Sequence, residues 1–275
     1  MKEIKYQVSD LSSPTLLREY LAKCGLSKTL IKKAKPEGLF VNGERVTVRK
    51  ELKNGDIVEV KPPREISEGI PAMDIPLKIL YEDDHIVAVD KPKNMPTHPS
   101  KGNNLPTLAN AVMSKFDGDF VFRAINRLDR DTSGIVIIAK DAVSANSLSA
   151  SMKAGLFSKK YLCITDGVPS PEEGTIDAPI RRLEENNVKR IVAEDGKRAI
   201  TKYKVIEKRD VGALCEITLL TGRTHQIRVH MAHIGTPLYG DFLYGKRKEE
   251  DYFLRCIEIT FPHPQTKENI TIFAD

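Results

Sequence analysis

The stretch Asn126-Arg127-Leu128-Asp129-Arg130-Asp131-Thr132-Ser133-Gly134 sets two arginines, two aspartates, two hydroxyls and a glycine at the mouth of an apolar run, Ile135-Val136-Ile137-Ile138-Ala139. That run is mostly β-branched and ends in charge at Lys140 and Asp141, which predicts a buried strand. A rigid strand beneath a dense polar cluster can hold charged groups in register. Asp129 lies between Arg127 and Arg130, so its carboxylate is expected to stay ionised and to be available as a nucleophile or base. The same residue types also build ordinary turns, and Arg–Asp pairs often only tie loops down. The stretch alone leaves catalysis and scaffold both open.

Arg127-Leu128-Asp129-x-x-Thr132-Ser133-Gly134 resembles the signature of the RluA-type pseudouridine synthases, which isomerise uridine to pseudouridine in RNA. The resemblance implies Asp129 as the catalytic residue and Arg127 as the side chain that helps fill the space left by the flipped-out base. That signature normally begins with histidine. Here Asn126 stands instead, able to donate and accept hydrogen bonds but not to carry charge. Other segments match in the same order. Lys91-Pro92 and His98-Pro99 fall in a proline-rich loop, with Asn94 where the family has glycine, so Lys91 and His98 either line the site or merely support it. Tyr161 matches the tyrosine that the family places in the active site, where its ring can stack on a base and its hydroxyl can relay a proton; otherwise it is plain packing. Gly196-Lys197-x-Ala199-x-Thr201-x-Tyr203 matches a scaffold segment. Gln226-Ile227-Arg228 matches the segment whose arginine salt-bridges the catalytic aspartate; the alternative for Arg228 is a surface side chain.

The reaction so implied detaches uracil from ribose, turns it and reattaches it through carbon five. Asp129 would act as a covalent nucleophile or by promoting loss of the base, with Arg228 orienting it. Tyr161, or a water it orients, would take the carbon-five proton. No metal or organic cofactor is required. His225, His230 and His233 lack a carboxylate or cysteine to complete a metal set. Gly240-Asp241-Phe242-Leu243-Tyr244-Gly245-Lys246 imitates a phosphate loop, but Arg247 stands where a serine or threonine is needed. Two other readings compete. One is an RNA-binding assembly factor with an idle synthase fold, favoured by Asn126. The other is a carboxylate hydrolase using Asp129 with Asp131, which lacks a sugar-binding aromatic cluster and any tryptophan.

Of 275 residues, 40% are hydrophobic and 29% charged, which suits one sizeable core plus a small extra domain. The net charge is +5, and residues 1–63 carry all of it, with 13 Lys and Arg against 8 Asp and Glu. That distribution predicts a polyanion-binding module on a neutral body. Residues 14–35 read as two helices. Leu16, Leu17, Tyr20 and Leu21 face inward in the first. In the second, capped by Ser27, Leu30, Ile31 and Ala34 point inward and Lys28, Lys32, Lys33 and Lys35 outward. An Asn42-Gly43 hairpin and a strand over Ile57–Val60 follow. The pattern resembles the S-four-like RNA-binding domain, whose lysine face would contact phosphates; the plain alternative is a solvated helix face. Proline-rich residues 62–76 read as a linker, dividing the chain into 1–61, 62–76 and 77–275.

In the larger part, Asp141 is expected to cap a helix through Lys153 that Gly155 closes. Thr224 is expected to cap another with Ile227, Met231 and Ile234 buried. Residues 172–208 read as a hairpin region carrying Arg181, Arg182, Lys189 and Arg190 as exposed RNA contacts. The fold class expected is α+β, a mixed, largely antiparallel sheet with helices around a central cleft, the topology coming from the resemblance. Scattered Cys24, Cys163, Cys215 and Cys256 suit a reducing compartment. With neither a signal-like N-terminus nor a membrane-length apolar run, the chain is expected to be cytoplasmic and not to enter membranes, and with no obvious coiled-coil or swapped element it is expected to be a monomer. Its expected partner is RNA, with large-subunit ribosomal RNA favoured over transfer RNA because of the extra N-terminal domain.

Overall fold

The computed structural model describes residues 3–61, 67, 69–99, 106–118, 120–245 and 252–275. Its N-terminal unit runs β1 (Ile4–Gln7), β2 (Thr15–Leu16), α1 (Leu17–Lys23), α2 (Lys28–Ala34), β3 (Leu39–Val41), β4 (Glu44–Arg45), β5 (Glu51–Leu52) and β6 (Ile57–Val60). An antiparallel sheet ordered β1-β6-β3-β4 closes one side of a core that includes Leu17, Leu21, Leu30, Ile31, Leu39 and Val58. Leu16 is not helical as expected. It extends in β2 and pairs with β5. Ser27 caps α2 by accepting from the Leu30 amide at 3.1 Å. Asn42 and Gly43 both take positive φ (54° and 81°), the geometry a two-residue hairpin turn requires. Lys28, Lys32, Lys33 and Lys35 are exposed on one side of α2.

The larger unit runs β7 (Lys78–Glu82), β8 (Ile86–Lys91), α3 (Leu108–Lys115), β9 (Ser133–Ala139), α4 (Ala142–Lys153), β10 (Ser158–Asp166), β11 (Glu173–Asp177), β12 (Ile180–Arg182), β13 (Arg190–Val192), β14 (Ile200–Arg209), β15 (Gly212–Leu219), α5 (Gln226–His233), β16 (Leu254–Pro262) and β17 (Asn269–Phe273). The sheet order is β11-β14-β15-β10-β16-β9-β8-β7, with β17 also on β16. The sheet is mixed and mostly antiparallel, so the class is α+β. Residues 62–66 and 68 of the expected linker lie outside the described residues. The rest of that segment is tied to the large core: the Asn110 amide donates to Pro71 O at 2.8 Å, and Ile70 and Ile75 pack on the core. The large unit therefore begins before Leu77. The two units touch where Ala142 and Val143 of α4 pack on the N-terminal core and Asn146 donates to Gly25 O at 2.6 Å. Among the described residues no helix is long and apolar enough to cross a membrane.

Strand β16 is the hinge of the sheet. Its first residues pair in parallel with β9 only at Arg255↔Ser133 and Cys256↔Gly134, and its second half pairs with β17 instead. The sheet therefore forks where β9 begins. Gly134 makes the junction possible. Its φ is +108°, and a Cβ there would lie 2.1 Å from Cys256 O. One register row crosses the fork: Ile217, Tyr161, Cys256, Gly134 and Lys91 sit side by side on five neighbouring strands. All seven residues of β9 are buried, so this row is a rigid floor directly beneath the polar stretch that precedes it.

Candidate active site

A cavity of about 250 Å³ opens at the fork. Asn126, Arg127, Asp129, Thr132, Lys159, Tyr161, His225 and Arg228 line it, with Leu219, Ile227 and Leu254 as its apolar wall. Three chain segments meet there: the loop entering β9, the middle of β10, and the start of α5. Sequence reasoning placed Asp129, Tyr161, Arg228 and Arg127 at one site, and the fold brings these four together.

The loop carrying Asp129 is pinned from beneath. Thr97 Oγ1 donates to Leu128 O at 2.8 Å and accepts from Leu128 N at 3.2 Å. The Met95 amide donates to Arg130 O, and the Thr132 amide to Asp129 O. Of the two roles open to Lys91, lining the site as an RNA contact or supporting it, the structure shows support, and among the described residues Lys91 is absent from the cavity wall. It is fully buried, and its ammonium donates to Pro92 O, Met95 O and Arg130 O at 2.8, 2.7 and 3.1 Å. Burial draws its pKa down to about 8, opposed by Asp131, Asp129 and Asp90. Three carbonyl acceptors need three N–H donors, so the lysine is held as an ammonium at neutral pH. It fastens the Pro92–Met95 turn to the Asp129 loop. His98 is exposed, and its ring packs edge-on against Phe122 at 5.0 Å. Burial and then the Arg127 charge lower its pKa, and among the described residues it too is absent from the cavity wall.

Asn126 points away from any ionic role. Its side chain accepts from Ile137 N at 2.8 Å and donates to Ile135 O at 3.0 Å, closing a backbone ladder along β9. A neutral donor–acceptor meets that need. Arg127 is exposed and donates to Thr224 Oγ1 at 2.5 Å across the cavity mouth. Thr224 therefore does not cap α5 as expected. His225 occupies the N-cap position with φ +58° and no capping side chain, while Gln226 ties the helix start down by accepting from Arg223 N and donating to Ile200 O. Arg130 grips Asp131 through two bonds of 2.7 and 3.0 Å. Asp131 is absent from the cavity wall among the described residues, so the Asp129–Asp131 hydrolase pair is not assembled.

Arg228 is 3% exposed and reaches inward, but its partner is Asp241 rather than Asp129. Nε and Nη2 donate to the two carboxylate oxygens at 2.7 Å each. The rings of Phe242, Tyr244 and Tyr252 surround the guanidinium at 5.4, 5.1 and 4.6 Å. Asp241 also accepts from Leu243 N and Tyr244 N, so the described part of the phosphate-loop lookalike is a turn folded around a carboxylate. Burial works against the Arg228 charge, but the Asp241 hydrogen bonds raise its pKa, with Asp129 as a smaller contributor. Asp129 Oδ2 faces His225 Nε2 at 3.9 Å. Tyr161 is 5% exposed, and burial, with Cys256 and Asp129 beside it, pushes its phenol well above the usual tyrosine value. The phenol stays protonated, which suits stacking and hydrogen bonding and removes it as the proton acceptor itself. His230 is held between Thr201 Oγ1 and Ala178 O at 2.8 and 2.9 Å, apart from His225.

Sequence reasoning missed Lys159, His225 and Asp241. Strand alternation could have found Lys159, two residues before Tyr161 on one face of β10. Its pKa is lowered by burial. No local signal announces the other two.

A solved structure titled Human RNA Pseudouridylate Synthase Domain Containing 1 matches 74% of this chain and 85% of its own, with a TM-score of 0.63 and 25% identity. That places the fold in the class of pseudouridine synthases. The sequence profile described as RNA pseudouridylate synthase matches residues 85–233. The chain is 39% identical over 266 residues to the Bacillus subtilis protein described as Uncharacterized RNA pseudouridine synthase YjbO, covering 94% of each. It is 40% identical over 212 residues to Ribosomal large subunit pseudouridine synthase D of Pseudomonas aeruginosa, covering 76% of this chain and 66% of that one. The chain belongs to the RNA pseudouridylate synthase family, and it is an isomerase acting on RNA.

Proposed function

We propose that this enzyme isomerises uridine in large-subunit ribosomal RNA and that Asp129 is its nucleophile. One observation carries the reading: Asp129 lines a cavity over a fixed strand junction together with Tyr161 and Arg228. In the reaction the bond between ribose C1′ and uracil N1 breaks, with Asp129 bonding to C1′ or promoting departure of the base. The base turns, and C5 bonds to C1′. The proton leaving C5 passes to a water, and N1 takes one up, so the reaction balances without a co-reactant. The Tyr161 ring stacks on the base and its hydroxyl orients that water. Arg228, fixed by Asp241, supplies positive potential beside Asp129. Arg127 at the rim contacts the RNA with the exposed His98 and fills the gap left by the flipped nucleotide.

The N-terminal unit, residues 1–61, is the S-four-like RNA-binding module. Lys28, Lys32, Lys33 and Lys35 line an exposed helix side, and Lys35 continues into a concavity with Arg45, Arg49 and Lys50. Such a basic surface binds phosphates with little sequence preference. Similarity to relatives described as ribosomal large subunit enzymes favours ribosomal over transfer RNA. The enzyme works as a cytoplasmic monomer. Tritium release from carbon-five-labelled uridine tests the substrate class. Release from large-subunit RNA or its particles, with none from transfer RNA, is expected. Release from transfer RNA alone would overturn the assignment.

A further inference from the structure

We propose that Tyr244 and His225 form a relay that positions Asp129 and links it to the β12–β13 hairpin. The relay rests on the reading that Asp129 is the nucleophile. Tyr244 Oη lies 2.8 Å from Arg190 N of β13 and 2.8 Å from His225 Nδ1. A backbone amide can only donate, so the Tyr244 oxygen accepts from Arg190, which leaves its O–H proton free for Nδ1, and in the relay it donates there. The imidazole proton is thereby assigned to Nε2, the atom that faces Asp129 Oδ2 at 3.9 Å. That separation is longer than a hydrogen bond, and catalytic contacts of this kind close when substrate fills the site.

His225 holds φ +58°, a left-handed backbone that non-glycine residues keep where surrounding contacts over-determine it. The charged groups facing the ring are Asp129, Arg228, Arg190 and Asp241, with Tyr244 as its hydrogen-bonding neighbour. Burial lowers the imidazole pKa first of all; Arg228 and Arg190 add to that, while Asp129 and Asp241 oppose it. A neutral N–H donor can fix one carboxylate oxygen in direction and leave the other for the sugar, where a cation in contact would quench the charge. The hairpin bearing Arg181, Arg182 and Arg190 is thus in register with the nucleophile.

The test is single-turnover isomerisation by the full-length enzyme, on an RNA that the wild type modifies, across a pH series. Tyr244→Phe keeps the ring over Arg228 and removes only the hydroxyl. Its chemical step should fall about tenfold, the scale of one lost hydrogen bond, with RNA affinity within about twofold of wild type. Without the donor at Nδ1, His225 protonates more readily, so the acidic limb of the rate profile should move to higher pH. His225→Ala should fall at least as far, and His225→Gln, whose amide reaches the Nε2 position, should recover most of the rate. These two decide the matter if Tyr244→Phe is unstable. Wild-type rates and pH profiles in Tyr244→Phe and His225→Ala would overturn the relay, as would losses confined to RNA affinity. A silent wild-type enzyme on ribosomal RNA would instead sink the substrate assignment above.

Discussion

A carboxylate that is to attack a sugar must be aimed without being neutralised, and in the proposed reaction the residues around Asp129 divide that work. Arg228 is close enough to bias it, yet its own hydrogen bonds go to Asp241, so the cation is fixed before substrate arrives. Both members of that pair are almost fully buried. Asp241→Ala leaves a buried guanidinium uncompensated and should cost about 3–5 kcal/mol in urea unfolding, with activity lost in step. The motif positions were legible because signature residues are contiguous; their partners were not. Arg228 meets a carboxylate 13 residues away across two turns, and the Thr224 hydroxyl, chemically a good cap, is taken by Arg127 from a distant loop. For Lys91 the sequence left lining and supporting the site both open, because its three carbonyl acceptors come together only in the folded loops.

At the scale of elements, the fork between β9 and β16 defines the site. Gly134→Ala introduces both a left-handed backbone for a side-chain-bearing residue and a Cβ overlapping Cys256 O. It should destabilise by more than about 3 kcal/mol and yield little soluble protein, measured by expression and denaturant unfolding. Asp83, in the β7–β8 turn, steadies the other side of the sheet. It accepts from His85 N, Ile86 N and Tyr81 Oη at 2.7–2.8 Å, and from His263 Nε2 at 2.9 Å in the turn after β16. Burial opposes its charge, but these hydrogen bonds win and hold the carboxyl at about 2, below its usual 3.8. A depressed acid stabilises the fold above its unfolded value and loses that contribution as pH falls through its folded value. About 2 kcal/mol should therefore vanish between pH 4 and 2, and Asp83→Asn should flatten that limb of the acid-unfolding curve. Elements whose ends carry local signals were readable in advance. Asp141 accepts from Val143 N and Ser144 N, and α4 runs to Lys153 before Gly155 turns it. The parallel contact of β9 with β16 was not readable, because it joins segments about 120 residues apart through two residue pairs.

For the whole molecule, charge is the organising variable. The excess positive charge sits on the N-terminal unit, while the synthase body is balanced, and the proposed function accordingly assigns RNA affinity to the first and chemistry to the second. Replacing Lys32 and Lys35 by glutamine should weaken RNA binding and make log Kobs against log salt shallower by about 1.5, near the 0.7–0.9 expected for each lost phosphate contact. Filter binding across a salt series checks it. The charge asymmetry was visible in composition, and periodicity showed strands with few long helices, while the α+β arrangement of the sheet came from the family resemblance. The basic concavity that adds Arg45, Arg49 and Lys50 to the lysine face was not, since it needs the β4 hairpin folded back beside α2.

The most direct measurement is tritium release from carbon-five-labelled uridine in large-subunit ribosomal RNA by wild type and Asp129→Asn, each first shown to bind that RNA. Asp129 as nucleophile predicts release by wild type and none above background by the variant, with affinity retained. Release by Asp129→Asn at a rate near wild type would contradict the account at its centre.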